Sequence, residues 1–300
     1  MWQVFLMYAL FGSIFTVGKV GLAASSPYFL TGVRMLMAGS LLFGYFCYRH
    51  PGKKITISKQ DWQLLALIAF FNVFITNAFE FWGLQYMTAA KTCLIYSLSP
   101  FAAALIGYFF GTERLSGRKW LGLCIGFLSF CPLMLGPWLN GSPAGSDTLE
   151  LMAEGALAIS AITAVIGWTF VKQLTVDNQM PHPLVNGISF LLAGILCMLT
   201  SLSIETWDPV PVFIWTDFLW SVIYIVVIHN LICYSTYAAS LRRFSVTFMA
   251  FSGLSCPLFA ALFGWLFLDE MLAPSFWLAF AGILCGLYLF HQEKQLVQTA

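Results

Sequence analysis

The chain has 300 residues, of which 60% are apolar and 9% charged, and its formal net charge is +1. A soluble domain carries about 25% charged residues, so this composition leaves too little polar surface for water and points to a protein embedded in lipid. No basic tract supports nucleic acid as a partner. Eight cysteines (Cys47, Cys93, Cys124, Cys131, Cys197, Cys233, Cys256 and Cys285) stand singly within apolar runs. That spacing suits small buried hydrophobes rather than metal ligands or a disulfide framework. Neither a metal nor a cofactor is expected.

In chain order, apolar runs bounded by charge, Pro and Gly predict membrane spans at 3–22, 27–48, 62–82, 86–110 and 116–138. A second set is predicted at 151–172, 183–203, 214–239, 244–268 and 274–291. Each is close to the roughly 20 residues that cross a bilayer as a helix. The first run has no basic leader and carries Lys19 where a cleavage site would lie, so it is expected to be a span rather than a signal peptide. Turn-forming residues at 139–149, containing NGSPAGSD, separate a first unit, 1–138, from a second, 150–300. The expected fold is an all-α integral membrane protein of ten transmembrane helices in two five-helix repeats.

The division coincides with a duplication. Pro100 to Leu121 reads PFAAALIGYFFGTERLSGRKWL, and Pro257 to Leu278 reads PLFAALFGWLFLDEMLAPSFWL. A gapless shift of 157 residues gives ten identities in these 22 positions, including Pro100 with Pro257, Gly107 with Gly264, Glu113 with Glu270 and Trp120 with Trp277. Apolar bias repeats Leu and Ala by chance; it does not repeat a Pro and a Glu at one spacing. With the N-terminus inside, eleven of the 14 basic residues fall in inside segments or at the span ends that adjoin them, while Lys19, Arg34 and Lys91 lie deeper within spans. The positive-inside rule then predicts both termini in the cytoplasm. Five helices per unit put the two copies in opposite orientations, the inverted-topology repeat of secondary transporters that work by alternating access.

These residues carry a resemblance. FGSIFTVGK, with Gly12, Phe15 and Lys19, IGWTFVK from Ile166 to Lys172, TGVRMLMA from Thr31 with Arg34, and the doubled Pro-to-Glu stretch are similar to the EamA type of the drug/metabolite transporter superfamily. NGISFLLAG from Asn186 keeps the glycines but lacks the arginine. The resemblance implies ten helices around a central cavity lined by helices 1, 3, 4, 6, 8 and 9. It also implies a bacterial inner-membrane carrier of a small molecule, embedded in lipid, with a homodimer as an open possibility. Family cargoes run from amino acids to nucleotide-like metabolites. The narrower expectation is S-adenosylmethionine taken up in exchange for S-adenosylhomocysteine; the alternative is export of amino acids or amphipathic drugs. No GxSxG, HExxH, Walker or CxxC pattern supports an enzyme.

Charge inside a span costs about 2.5–3.5 kcal/mol on insertion scales, so Lys19, Arg34, Glu80 and Lys91 each need a reason. Two readings stand: structural ion pairs, with Glu80 and Lys91 flanking a short turn and able to pair, or a polar site for a zwitterionic cargo. Arg34 suits a structural role, because helix 2 is peripheral in the resembled family. The 157 shift also matches Asn72 with His229 and Asn77 with Tyr234. Asn72, His229 and Asn230 are expected either to bond between helices or to face a midplane cavity. Phe15, Tyr96 and Trp168 are candidates to stack on a base or cradle a cation. Pro100 and Pro257 are candidate gating bends, each freeing a carbonyl four residues earlier. Glu113 and Glu270 suit the holding of helix ends.

Overall fold

A chain without water around it must satisfy its backbone polar groups internally, and helices do so within one segment. The computed structural model describes residues 2–51, 57–109, 116–129, 146–244, 246–271 and 274–298, and among them the architecture is helical without a strand. The helices are α1 (Trp2–Ala24), α2 (Pro27–Arg49), α3 (Lys59–Leu84), α4 (Ala89–Phe109), α5 (Gly117–Leu128), α6 (Ser146–Lys172), α7 (His182–Ile204), α8 (Trp215–Ser240), α9 (Phe248–Leu268) and α10 (Pro274–Gln298). Eight of them, α1–α4 and α6–α9, are long and apolar enough to cross a membrane. Only Pro274–Gly286 of α10 is apolar helix, and the fifth expected span continues from α5 into residues outside those described.

Several helix starts are secured by side chains. Ser58 and Asp61 form a capping box at the head of α3, and Thr88 Oγ1 accepts the Lys91 N–H at 3.1 Å in the first turn of α4. α2 starts on Ser26, which makes no side-chain cap; Glu205, just past α7, accepts the Tyr28 and Phe29 N–H groups at 2.7 and 3.0 Å instead. One residue does for α2 what its own sequence does not.

The contacts between the two halves come in matched sets. α1 packs on α8 and α9, while α6 packs on α3 and α4; α2 meets α7, α4 meets α9, and α5 meets α10. Close approach depends on glycine: a Cβ at Gly39 of α2 would stand 2.8 Å from the Leu191 nitrogen of α7, and one at Gly286 of α10 would stand 2.6 Å from the Gly122 carbonyl of α5. Backbone irregularities are matched as well. α3 widens into π-helix over Ile68–Ile75 and α8 over Val226–Cys233, starts that are 226 − 68 = 158 residues apart. α4 tightens at Ser97 and Leu98, whose N–H groups reach back only to Leu94 and Ile95, and α9 does so in the 3₁₀ turn Gly253–Ser255. Each tightening falls just ahead of Pro100 or Pro257.

Candidate functional site

The six helices α1, α3, α4, α6, α8 and α9 enclose a cavity of about 90 Å³, the set the resemblance implied. Its wall is aromatic: Tyr8, Phe11 and Phe15 from α1, Tyr96 from α4, Trp168 from α6, and Tyr234 and Tyr237 from α8. Trp168 stacks on Tyr237 with centroids 3.9 Å apart and planes 21° from parallel, and Tyr234 lies 5.0 Å from the same indole. Phe11 and Tyr234 both meet the His229 ring edge-on, at 5.3 and 5.2 Å. Small-molecule sites usually span about 300–1,000 Å³, so an organic molecule of that size enters only if these rings or helices part.

Two polar side chains complete the cavity. Glu80 of α3 is 6% exposed and lines it; among the described residues its carboxylate has no hydrogen-bond or ion-pair partner, yet its oxygens are not sealed in protein. His229 lines it from the π-helical turn of α8. Both tightened turns reach the cavity too, through Ser97 and Ser99 on α4 and Gly253 and Cys256 on α9. Pro100 and Pro257 have no N–H to give to the carbonyls of the lining residues Tyr96 and Gly253, and the Gly253 carbonyl takes the Cys256 N–H instead, so it is not freed as expected.

Behind the wall lies a buried polar cluster. Arg34 on α2 has no solvent exposure. Its Nη1 lies 2.9 Å from His229 Nδ1, its Nη2 donates to Asn77 Oδ1 at 2.9 Å, and its Cζ stands 4.1 Å from the centre of the Phe81 ring. Asn77 Nδ2 donates to the Val73 carbonyl at 2.8 Å and to Tyr234 Oη at 3.2 Å. Asn77 and Tyr234 are repeat mates in direct contact.

The structure gathers five of the expected residues, Phe15, Glu80, Tyr96, Trp168 and His229, around one cavity, and places the other four elsewhere. Asn72 donates to the Ala164 carbonyl at 3.2 Å across the α3–α6 contact and does not face His229. Asn230 points its amide at the Met35 sulfur, 3.2 Å away. Lys91 does not pair with Glu80: it binds Glu150 at 2.6 Å and Glu154 at 2.5 Å, both on α6. Lys19 binds Glu270 at 3.0 Å, and the two Glu270 oxygens also take the Ala89 N–H of α4 at 3.1 and 2.9 Å. Glu270 therefore holds a helix start, while Glu113 lies outside the described residues. Tyr8, Phe11, Tyr234 and Tyr237 lie outside the expected set; Tyr234, five residues past His229, shares its cavity because α8 is π-helical up to Cys233.

The model of the EamA-like transporter family matches residues 1–135 and again residues 151–291. The chain belongs to the EamA-like transporter family. Its family places it among membrane transporters rather than enzymes, and its apolar helices make it a multi-pass membrane protein. Among curated relatives, the S-adenosylmethionine/S-adenosylhomocysteine transporter of Chlamydia muridarum is 33% identical over 97% of this chain and 91% of its own length. The transporter of the same name from Chlamydia trachomatis serovar L2 is 32% identical over 97% of this chain and 88% of its own. The Escherichia coli inner membrane transporter YedA is 25% identical over 98% and 90%. A solved crystal structure superposes with a TM-score of 0.65 at 19% identity, over 96% of this chain and 95% of that one, a likeness of fold.

Proposed function

We propose that this transporter takes up S-adenosylmethionine in exchange for S-adenosylhomocysteine by alternating access. The observation that carries the reading is Glu80, an acidic side chain with no hydrogen bond among the described residues and only the Arg34 charge behind the wall acting on it, inside a box of aromatic faces. A sulfonium is a compact cation whose solvation is replaced by ring quadrupoles and a carboxylate, and an adenine stacks on the same rings. The names of the two chlamydial relatives support this cargo. Lys19 and Lys91 are already bound to acidic partners, which makes an anionic cargo a poorer fit than a cationic one. Among the expected site residues, Phe15, Glu80, Tyr96, Trp168 and His229 then contact cargo, and Lys19, Asn72, Lys91 and Asn230 support the frame.

The mechanism rests on two inverted five-helix units, 1–138 and 150–300, joined at 139–149, with ten spans and both termini in the cytoplasm of a bacterial inner membrane. The matched contacts and paired backbone irregularities support the duplication, and the charge distribution supports its inversion. Bends at Pro100 and Pro257 give the two units hinges beside the cavity. Purified protein in liposomes is expected to accumulate labelled S-adenosylmethionine, faster when preloaded with S-adenosylhomocysteine. Absence of uptake under both conditions, in a preparation that remains folded, overturns the cargo.

A further inference from the structure

We infer that Arg34 is a positioning residue that locks His229 in one neutral tautomer, with its proton on Nε2, so that the imidazole presents a hydrogen-bond donor to the cargo. A guanidinium only donates. With Arg34 Nη1 2.9 Å from His229 Nδ1, Nδ1 must accept, and a neutral imidazole that accepts at Nδ1 carries its proton at Nε2. Protonating Nδ1 would set two N–H groups against each other beside a positive charge. Arg34 cannot turn away, because Asn77 holds its second amino group and the Phe81 ring lies beneath it.

The other end of the ring is free to work. Among the described residues nothing pairs with His229 Nε2, and that atom is not one of the sealed, unpartnered polar atoms. The groups around the imidazole are Arg34 from α2, Phe11 from α1 and Tyr234 from α8, with Glu80 of α3 sharing the cavity. The cavity thus offers one carboxyl acceptor, Glu80, and one neutral donor, His229, with aromatic faces around them. A cargo with a cationic centre and a hydrogen-bond acceptor is oriented by the two. This rests on the cavity being the cargo site, but the tautomer itself is testable without transport.

The test uses the full-length protein, labelled in its histidine rings and reconstituted in lipid, with the His229 signals identified by their loss in His229→Gln. Ring-carbon and ring-nitrogen shifts are expected to report Nε2–H imidazole throughout about pH 6 to 8; an Nδ1–H ring or an imidazolium in that range overturns the lock. Arg34→Met, if it folds, is expected to give mixed tautomers, and an unchanged Nε2–H signal there removes Arg34 from the role. The donor is tested by uptake of S-adenosylmethionine. The Gln amide can place an N–H near the Nε2 position and the Asn amide cannot, so His229→Gln is expected to keep KM within about threefold and His229→Asn to raise it about tenfold, with kcat little changed. Equal KM values in the two variants overturn the donor. If native protein moves no S-adenosylmethionine at all, the cargo reading fails while the ring signals still decide the tautomer.

Discussion

α3 and α8 are the same device used twice. Both loosen into π-helix within one residue of the 157 register, and both set a polar side chain in the widened turn, Asn72 in one and His229 in the other. The outcomes differ. Asn72 is consumed by the Ala164 carbonyl and fastens α3 to α6, whereas His229 is held by Arg34 from behind and faces the cavity. Arg34 itself has no counterpart in the second half: aligning TGVR (31–34) with NGIS (186–189) puts Ser189 of α7 in its place, a buried hydroxyl without a partner among the described residues. α3 and α8 share a frame and differ in what holds the polar side chain each sets in it.

If that division is right, substitutions in matched pairs should give unmatched effects. The largest is expected at α2 and α7. Arg34→Met leaves His229 Nδ1 and Asn77 Oδ1 buried without their donor and should cost about 3 kcal/mol of stability in thermal unfolding, while Ser189→Ala should cost less than about 1 kcal/mol. Equal losses would mean that the arginine is incidental to the fold.

Next comes Glu80, whose mate under the 157 shift is Tyr237. Glu80→Gln should lower kcat/KM for S-adenosylmethionine uptake about 30-fold, the loss of one charge-assisted contact of about 2 kcal/mol. Tyr237→Phe keeps the stacked ring and should lower it no more than about threefold. Of the two expected aromatic residues on α6 and α1, Trp168 stacks on Tyr237 and Phe15 does not. Trp168→Leu should therefore raise KM about fivefold and Phe15→Leu about half as much, read from the same uptake curves. The smallest effect is expected at Asn72: Asn72→Leu should leave KM within twofold while lowering stability by about 1 kcal/mol. A larger rise in KM at Asn72 than at His229→Asn would dissolve the contrast between α3 and α8.

Much of the frame is legible in the residues. The repeated Pro100 and Pro257 mark two breaks, and apolar runs place the helices to within a few residues. Side-chain partners are less legible, because they depend on contacts between distant segments. Glu80 and Lys91 are eleven residues apart and bracket one turn, yet Lys91 is captured by Glu150 and Glu154 from a helix about sixty residues on. The widened turns are also invisible to periodicity. One inserted residue rotates the rest of the helix by about 100°, enough to move Asn72 off the face where regular spacing puts it. Tyr8 and Phe11 are illegible for another reason: in so aromatic a chain, a ring on a cavity-facing helix carries no mark that separates it from a ring facing lipid.

The stacked pair of Trp168 and Tyr237 has a consequence for how tightly any cargo can be held. At 3.9 Å between centroids the two rings already satisfy one another, so any planar cargo that took a place between them would displace a protein contact before making its own. Its affinity is the difference between two stacks rather than the whole of one. A carrier of this kind grips modestly and releases readily, which suits a protein whose work is measured by turnover across the bilayer and not by occupancy.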